Sequence, residues 1–379
     1  MKICAIICEY NPFHNGHLYQ LKEAKRLSNA DAVLCLMSGN FVQRGENAIL
    51  DKFTRAKHAL LAGADVVVEL PVPFACSSAE IFAQGAVKIL SSIPAVTHLC
   101  FGAEHADKQA FLDAATLLLN EPKEISVKIQ SSLAKGLSYA KARANAYENP
   151  LLNNPNDILG VEYTKAILKR DAKIDILPIP RIGGGYNEKR LTDSFPSATA
   201  IRESLQQGRR VDTQPYLPNF VYDDLQVKFC DKLDALEKAA ILQKSLAQLR
   251  TICDCNEGLE NAFKKAAENS APLVQTLTNA RYTSARIRRI ALHALLNITK
   301  HDVDLFLSND LYIYPLAYRR DSKKVLAALS EAKFPLLTGA PALKNLSNAA
   351  IGCRELNNFA DKMYAILRGT SYQSNVVIL

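Results

Sequence analysis

The sequence lacks any apolar run long enough to cross a membrane. The longest runs, such as Val66–Val68, fall far short of the roughly 20 residues that a transmembrane helix needs. A recognisable signal or transit peptide is also missing, because the chain enters a predicted strand directly after Met1, so we expect a cytoplasmic protein. Internal repeats and low-complexity tracts are absent. With 379 residues, 48% of them hydrophobic and 22% charged, the chain has an ordinary globular composition and room for two domains.

The cysteines form neither a disulfide framework nor a zinc knuckle. There are nine of them, an odd number, without a C-x-x-C pair, and Cys253-Asp254-Cys255 has no second pair at the spacing that zinc uses. We therefore expect reduced thiols, several of them in the core, and the sequence predicts no metal site.

Positive charge is concentrated in the second half of the chain. Residues 1–200 carry 22 Lys and Arg against 20 Asp and Glu, whereas residues 201–379 carry 24 against 18. An excess of this kind favours a polyanionic partner that is met by the second half. Proteins that bind no nucleic acid can have a similar excess, so charge alone leaves the partner open.

Short apolar runs alternate with helical patterns in the first half. The predicted strands are Lys2–Cys8, Ala32–Met37, Val66–Leu70, Thr97–Phe101 and Ile174–Ile179. The predicted helices between them include Leu18–Leu27, Lys52–Leu61 and Ala79–Leu90. Near-continuous apolar strands are typical of parallel sheets that are covered on both faces. The pattern therefore predicts an α/β fold with a Rossmann-like, doubly wound parallel sheet.

Helical patterns dominate elsewhere. Residues 107–170 are predicted to form a helical insertion between the last two strands. After residue 203 the strands thin out, and the predicted helices are Asp231–Leu249, Glu257–Asn269, Ser284–Asn297, Ser322–Ala332 and Ala349–Leu367. The loop Gln207–Asn219 is the predicted boundary between a catalytic domain, 1–206, and a mostly helical C-terminal domain, 207–379.

The first candidate site is the turn His14-Asn15-Gly16-His17, which joins the first strand to the first helix. Ligands of such sheets bind beyond the carboxyl ends of the strands. The N–H groups at a helix start suit phosphate, and Gly16 allows a close backbone approach. The two imidazoles could then hold the oxygens of a polyphosphate, which predicts a nucleotide-activating site. The alternative is a strand-to-helix turn with polar caps.

A second candidate is the stretch Ser197–Arg202, which has two hydroxyls and an arginine where a helix begins. Hydroxyls and first-turn N–H groups can hold phosphate oxygens, and an arginine can bind them in bidentate fashion. The alternative is a capped helix with a solvated arginine. The nearby glycine run 183–185 lacks the spacing of a Walker loop or a dinucleotide fingerprint.

Together the two motifs resemble the H-x-G-H and S-x-T-x-I-R signatures of the nucleotidylyltransferase superfamily. Three longer strings are similar to one family within it, the bacterial tRNA(Met) cytidine acetate ligases. These strings cover residues 9–17 (EYNPFHNGH), 37–46 (MSGNFVQRGE) and 155–163 (PNDILGVEY). The similarity extends over the whole chain and is weaker after residue 203.

This resemblance implies a two-step reaction. ATP and acetate would give acetyl-adenylate and pyrophosphate, and the acetyl group would pass to N4 of the wobble cytidine of elongator tRNA(Met). His14 and His17 are the implied catalytic residues, and Mg²⁺ is expected to accompany ATP. The ATP-binding residues expected from the resemblance and from the second motif are Ile7, Cys8, Glu9, Tyr10, Asn11, Pro12, Phe13, His14, Asn15, Gly16, His17, Leu18, Tyr19, Gln20, Gly102, Asn156, Arg181, Ser197, Thr199 and Arg202. Gln20 stands where we expect a third histidine in the family.

The most basic stretch is residues 281–289. An apolar stripe on its helix faces the core, while Arg286, Arg289 and His293 fall on another face. We expect Arg281, Arg286 and Arg289 to contact tRNA phosphates or bases. An ordinary amphipathic helix is the alternative.

Other charged residues are open to more than one interpretation. Arg44 and Glu46 could orient acetate or cytidine, or form a surface salt bridge. A charged helix face that we expect to be solvated is formed by Asp51, Lys52, Arg55 and Lys57.

Two other functions stay open: a small-molecule adenylyltransferase of the same superfamily and a non-catalytic RNA-binding protein. A helical basic domain argues against the first, and the intact histidine motif argues against the second. An aminoacyl-tRNA synthetase would need a K-M-S-K-S-like loop, which the sequence lacks.

Overall fold

A computed structural model describes residues 1–181, 195–225, 232–338, 346–372 and 376–379. The strands are β1 (Ile3–Cys8), β2 (Ala32–Ser38), β3 (Phe41–Val42), β4 (Glu46–Asn47), β5 (Val66–Leu70), β6 (Val96–Ala103), β7 (Asp175–Pro180), β8 (Pro315–Tyr318) and β9 (Val377–Ile378). The helices of the first half are α1 (Asn15–Ser28), α2 (Lys52–Leu61), α3 (Val72–Ala75), α4 (Ala79–Leu90), α5 (Lys108–Leu119), α6 (Lys123–Ala134), α7 (Tyr139–Tyr147), α8 (Pro155–Lys169) and α9 (Ala198–Gln206).

Helices also make up most of the chain that follows. They are α10 (Asn219–Asp224), α11 (Leu233–Gln243), α12 (Leu246–Thr251), α13 (Leu259–Ala267), α14 (Leu273–Leu277), α15 (Ser284–Leu296), α16 (Lys300–Ser308), α17 (Lys323–Ser330) and α18 (Asn348–Arg368). None of the described helices is both long and apolar enough to span a membrane.

A seven-stranded sheet in the order β7-β6-β1-β2-β5-β8-β9 carries the fold. The first five strands of that order run parallel, and both β2 and β5 are buried along their whole length. Val, Ile and Leu fill these strands because helices cover both faces. The predicted doubly wound sheet is confirmed, with strand ends within two residues of the prediction.

The strand order reverses next to β1. The chain runs from β1 to β2 and β5 on one side, and then returns to place β6 and β7 on the other. A crevice for ligands forms at the carboxyl ends of two strands where the order reverses, here β1 and β6. The turn that follows β1 contains His14 and His17, and β6 contains Gly102.

The predicted insertion of residues 107–170 is helical. Helices α5 to α8 lie between β6 and β7, and α8 packs against α4 and α5. Gly160 allows this packing, because a Cβ there would lie 2.5 Å from Phe101 and 2.7 Å from Phe111.

Two strands in the second half were not predicted. β8 pairs antiparallel with β5, and β9 continues the sheet beyond it. Both strands are too short for a two-residue period to register, and β8 begins with Pro315. The predicted helix Asp231–Leu249 is also wrong in length, because Ser245 starts a new helix by capping α12 together with Gln248.

The C-terminal chain packs in two places. Helices α11 to α15 enclose a small core of their own, centred on residues such as Phe263 and Ile290. The chain after Ile298 instead adds residues such as Leu316 and Cys353 to the core of the main sheet. The domain boundary at Gln207–Asn219 stays a prediction.

The expectation of a solvated charged face on α2 is wrong for Lys52 and Arg55, whereas the Lys57 side chain is 45% exposed. Lys52 and Arg55 are 1% and 0% exposed. Lys52 Nζ lies 2.6 Å from both Glu69 Oε1 and Asp361 Oδ2, while Arg55 donates to carbonyl groups at the ends of β1 and β2. These partners come from distant parts of the chain, so the local pattern around α2 held no sign of them.

Candidate active site

The turn after β1 is held by aromatic packing. Tyr10 has a left-handed φ of 49°, the Asn11–Pro12 peptide is cis, and the Tyr10 and Phe13 rings meet edge to face at 4.8 Å. Both rings are buried. This anchored turn fixes the residue that follows, His14, at the start of α1.

His14 and His17 both accept backbone hydrogen bonds at the start of α1, each through its own Nδ1. Nδ1 of His14 accepts the Gly16 N–H at 3.1 Å, and Nδ1 of His17 accepts the His14 N–H at 3.3 Å. The two rings stack with their centroids 3.7 Å apart. Since each Nδ1 acts as an acceptor, the single proton of each neutral ring lies on Nε2.

The surroundings keep both rings neutral. Burial lowers the pKa of His14 to about 3, and the charges of Arg181 and Arg202 act in the same direction. Burial likewise lowers the pKa of His17 well below its usual value, assisted by His14 and Arg181. The turn therefore presents two Nε2–H donors without placing two adjacent cations in the site.

The second motif meets this turn. Ser197 Oγ caps α9 by accepting the Ala200 N–H at 3.1 Å. Arg202, one turn later, donates to the Asn11 carbonyl at 2.8 Å and to Thr199 Oγ1 at 3.3 Å. The carbonyl contact attaches α9 to the loop after β1, although about 190 residues separate them.

A cleft opens beside both motifs, and we call it the hairpin cleft because the β3–β4 hairpin forms one wall. Its open space, counted together with the solvent at its mouth, is about 920 Å³. Polar groups from both motifs line it, and its apolar wall includes Phe82, Leu159 and Tyr163. The remaining lining residues are Ile7, Cys8, Glu9, Tyr10, Asn11, His14, His17, Gln20, Val42, Gln43, Arg44, Glu46, Arg181, Ser197, Ala198, Thr199 and Arg202.

A smaller cleft adjoins it at the strand reversal, and we call it the glycine cleft. It lies between α1 and the ends of β6 and β7, and its open space, counted together with the solvent at its mouth, is about 450 Å³. Its lining residues are His14, Gly16, His17, Tyr19, Gln20, Gly102, Ile179, Pro180, Arg181 and Phe195. The absence of side chains at Gly16 and Gly102 widens it, and the histidine pair and Gln20 border both clefts.

The hairpin is tied to the end of β1. Glu9 Oε1 accepts the Gln43 N–H at 2.8 Å, and burial raises the pKa of Glu9. Arg55 lies beneath this contact and donates to the Glu9 carbonyl. The hairpin wall therefore has a fixed position relative to the histidine pair.

Comparisons with known proteins support one family. The HIGH Nucleotidyl Transferase family model matches residues 1–376. A tRNA(Met) cytidine acetate ligase from Acetivibrio thermocellus is 35% identical over 415 aligned positions, with 100% of both chains covered. A Clostridium perfringens protein of the same name is 36% identical over 353 positions, covering 87% of this chain and 88% of the relative.

Solved structures agree with these relatives. Apo TmcAL from Thermotoga maritima superimposes with a TM-score of 0.94 at 30% identity, with 100% of both chains covered. A crystal structure of T. maritima TmcAL bound with alpha-thio ATP superimposes with a TM-score of 0.91 at 31% identity, also with complete coverage. The chain belongs to the tRNA(Met) cytidine acetate ligase family. The resemblance on which the sequence analysis relied is confirmed.

Most of the residues expected to bind ATP in a member of this family lie around the two clefts. The exceptions are Pro12, Phe13, Asn15, Leu18 and Asn156, which line neither cleft. Asn15 instead donates to the Pro215 carbonyl at 3.0 Å, and Asn156 donates to Glu104 Oε1 at 2.6 Å. None of these five side chains therefore lines either cleft in this structure.

The three arginines expected to contact tRNA surround one loop. Arg281 pairs with Glu257, and Arg286 binds Glu257 and Asn256. Arg289 faces Asp254 at 3.8 Å. The Arg281 side chain is 42% exposed, whereas those of Arg286 and Arg289 are 18% and 15% exposed.

His293 lies on that same face by its helical spacing, but the expectation that this face is open to tRNA is wrong at His293. The ring is fully buried, and burial lowers its pKa to about 4. It lies where α15 packs against the loop at Cys253, with Nδ1 3.5 Å from the Cys253 carbonyl. Helical spacing gives the direction of a side chain but not what packs against it.

Two features of the site were not assigned a role from the sequence. Phe82 and Tyr163 form the apolar wall from two helices and lie 81 residues apart, and Tyr163 entered the sequence analysis only as the last residue of the string 155–163. Arg55 supports the hairpin from beneath, but its spacing resembled that of a solvated helix face. In both cases the tertiary packing assigns the role.

Proposed function

We propose that the protein activates acetate with ATP and transfers the acetyl group to N4 of the wobble cytidine of elongator tRNA(Met). The observation that carries this proposal is the meeting of two distant motifs, His14–His17 and Ser197–Arg202, at one cleft. Acetate and tRNA enter the proposal through the names of the relatives.

In the first step an acetate oxygen would attack the α-phosphorus of ATP. A new P–O bond forms while the bond to the β-bridging oxygen breaks, and pyrophosphate leaves. Such chemistry depends on positioning and on stabilising charge. The Nε2–H groups of His14 and His17 and the Arg202 guanidinium border the same cleft, where they would donate to the phosphate oxygens as charge moves to pyrophosphate.

In this proposal each of the two clefts binds a different part of the substrates. The glycine cleft, between Gly16 and Gly102, would hold the adenosine, and the triphosphate would pass the histidine pair into the hairpin cleft. The apolar wall around Phe82 and Leu159 would face the acetyl methyl group and the incoming cytosine. Gln20 borders both clefts and can donate a hydrogen bond without carrying charge.

Mg²⁺ belongs to this proposal as the companion of ATP. In such sites the ion is bound by substrate phosphates together with one or two carboxylates. Glu9 and Glu46 are carboxylates that border the hairpin cleft, and the described residues hold no cluster of three or more His, Cys, Asp or Glu that could bind a metal. The phosphates of ATP would therefore supply most of the ligands.

In the second step the N4 amine of cytidine would attack the acetyl carbon. A C–N bond forms, the bond to the AMP oxygen breaks, and N4 loses a proton. The tRNA would approach along the basic side of the α11–α15 unit, where Arg281, Arg286 and Arg289 surround the loop at Glu257. Neutralising phosphates there would make binding fall as salt rises.

A panel of carboxylates tests the whole proposal. The protein is mixed with ATP, Mg²⁺ and acetate, propionate, glycine or methionine, with and without tRNA(Met), and both acyl-adenylate and acylated tRNA are measured. We expect acetyl-adenylate in the presence of acetate and N4-acetylcytidine only when the tRNA is added.

Other outcomes point elsewhere. Adenylylation of a nucleotide or of pantetheine phosphate, offered in place of the carboxylate, would favour a small-molecule adenylyltransferase. Binding of tRNA without consumption of ATP would favour a non-catalytic RNA-binding protein. Either result would contradict the proposed reaction.

A further inference from the structure

Glu46 is the carboxylate that connects the candidate site to α15. It lies on the short strand β4, and one of its oxygens is 4.0 Å from Arg202 of the second motif. Its other oxygen is 3.2 Å from Arg288, which lies on α15. One side chain therefore contacts a cation that borders the hairpin cleft and a cation of the basic C-terminal unit.

The backbone reinforces this connection. Gly45 has a φ of +73°, and a Cβ at this position would lie 2.6 Å from the backbone of both Arg288 and Arg289. The hairpin is thus packed directly against α15 where a side chain cannot fit. Two residues earlier in the same turn, the Gln43 N–H donates to Glu9 and holds the hairpin to the end of β1.

Among the described residues, Glu46 is the carboxylate within ion-pair distance of Arg288. Glu237 on α11 also acts on Arg288, but its carboxyl is buried and its pKa is raised well above the usual value, first by burial and then by Asp234. The Arg288 side chain is 34% exposed, so a phosphate from solution can reach it.

We propose that Glu46 is a positioning residue that couples the occupancy of Arg288 to the charge available at Arg202. This inference rests on the proposed function. While Arg288 forms an ion pair with Glu46, the positive charge of Arg202 is available to bind the triphosphate. When an RNA phosphate takes Arg288, Glu46 turns to Arg202 and competes with the nucleotide.

The consequence concerns the order of events. Binding of RNA at α15 weakens the hold of the site on the triphosphate and favours release of pyrophosphate. The reciprocal effect must exist as well, because coupling between two binding sites is symmetric. Nucleotide bound at Arg202 therefore lowers the affinity of α15 for RNA.

A double-mutant cycle tests the coupling with nucleotide binding as its readout. The dissociation constant of ATP is measured by titration calorimetry for the wild type, Arg288→Gln, Glu46→Gln and the double variant. Arg288→Gln should raise the constant about two- to five-fold, the range expected of one partly exposed ion pair. The same change should have no effect in the Glu46→Gln background, because no carboxylate is left to turn to Arg202.

Controls separate coupling from a structural effect. Arg288→Lys keeps the cation and should restore wild-type ATP binding. Arg250→Gln removes a comparable exposed ion pair, with Glu260 at 3.0 Å, and should leave ATP binding unchanged. In acetate-dependent pyrophosphate exchange, Arg288→Gln should raise the KM for ATP and leave kcat unchanged.

Two results would overturn the inference: an unchanged dissociation constant in Arg288→Gln, or an equal rise in both backgrounds. Since calorimetry measures ATP binding and requires no catalysis, the result of the double-mutant cycle does not depend on the result of the carboxylate panel. A wild type that binds ATP but makes no acetyl-adenylate would contradict the proposed function and leave the cycle readable.

Discussion

At the scale of the residue, the histidine pair acts through its tautomer. A helix start has unpaired N–H groups, and here side-chain nitrogens rather than oxygens accept two of them. That use of Nδ1 fixes the proton on Nε2 of both rings. A neutral donor pair can bind phosphate oxygens without the repulsion that two imidazolium groups 3.7 Å apart would suffer.

The lowered pKa of His14 predicts a dependence of stability on pH. In the folded protein this pKa is about 3, so the ring stays neutral at pH values where the unfolded chain takes up a proton. The contribution of His14 to the free energy of unfolding is complete above pH 6.5 and is lost as the pH falls towards 3. One such histidine reduces the free energy of unfolding by about 2 kcal/mol between pH 7 and pH 5.

Urea unfolding at pH 7 and pH 5 measures this loss. His14→Asn is a suitable comparison, because asparagine also caps helices and does not titrate. We expect the drop in stability to be smaller in the variant by about 2 kcal/mol. Equal drops in both proteins would show that His14 is not held neutral.

The sequence predicted the histidine pair and Arg202 because both motifs lie at the ends of elements that their own residues specify. His14 and Ser197 each start a helix, and a cap is a local property. The protonation of His14 was not predictable, since it depends on burial and on Arg181 and Arg202 brought from far along the chain.

At the scale of the element, α2 and α18 are joined by buried charge. Lys52 of α2 binds Asp361 of α18 and Glu69 of β5, and Asn40 donates to Asp361 at 2.8 Å. Burial opposes the charged form of Lys52, but the two carboxylates outweigh burial and raise its pKa. This network fastens the last long helix to the end of the central sheet.

Removing the Lys52 cation should therefore be costly. In Lys52→Met two buried carboxylates lose their shared partner, and we expect the free energy of unfolding to fall by about 3–5 kcal/mol. Lys57→Met on the same helix removes a lysine that is 45% exposed and should change it by less than about 0.5 kcal/mol. Denaturant unfolding measures the free energy of unfolding of both variants. A similar small decrease in each would show that the buried ion pairs of Lys52 do not stabilise the fold.

Element boundaries were predictable where the chain carries a strong period. The bounds of α2, α4 and β5 agree with the prediction, whereas those of the short strands β8 and β9 could not be found. A strand of four residues contributes two inward side chains, too few for a period, and its place in the sheet is set by pairing with β5.

At the scale of the whole molecule, the two halves share a sheet and a site. β8 extends the nucleotide-binding sheet from the second half, and α15 contacts the hairpin that borders the cleft. A chain cut at the predicted boundary would thus lose part of its sheet. Sequence pattern separates regions of different secondary structure, but it does not show which of them pack together.

The nucleotide site and the basic α11–α15 unit lie in different parts of the molecule, and this separation suggests the order of the two proposed steps. The adenylate would form at the strand reversal, and the RNA would meet the helical unit that adjoins it. Family membership over 100% of the chain fits this arrangement, because both regions are present in the relative from A. thermocellus. In this proposed order of steps, the histidine pair would first activate acetate with ATP.

Acetate-dependent exchange of labelled pyrophosphate into ATP measures this first step by itself, because the exchange requires no tRNA. The wild type should exchange only when acetate is present. His14→Ala and His17→Ala should each reduce the rate about 10²-fold or more, the usual effect of removing one donor to a developing charge, while circular dichroism shows them folded. Exchange near the wild-type rate in both variants would contradict the role assigned to the pair.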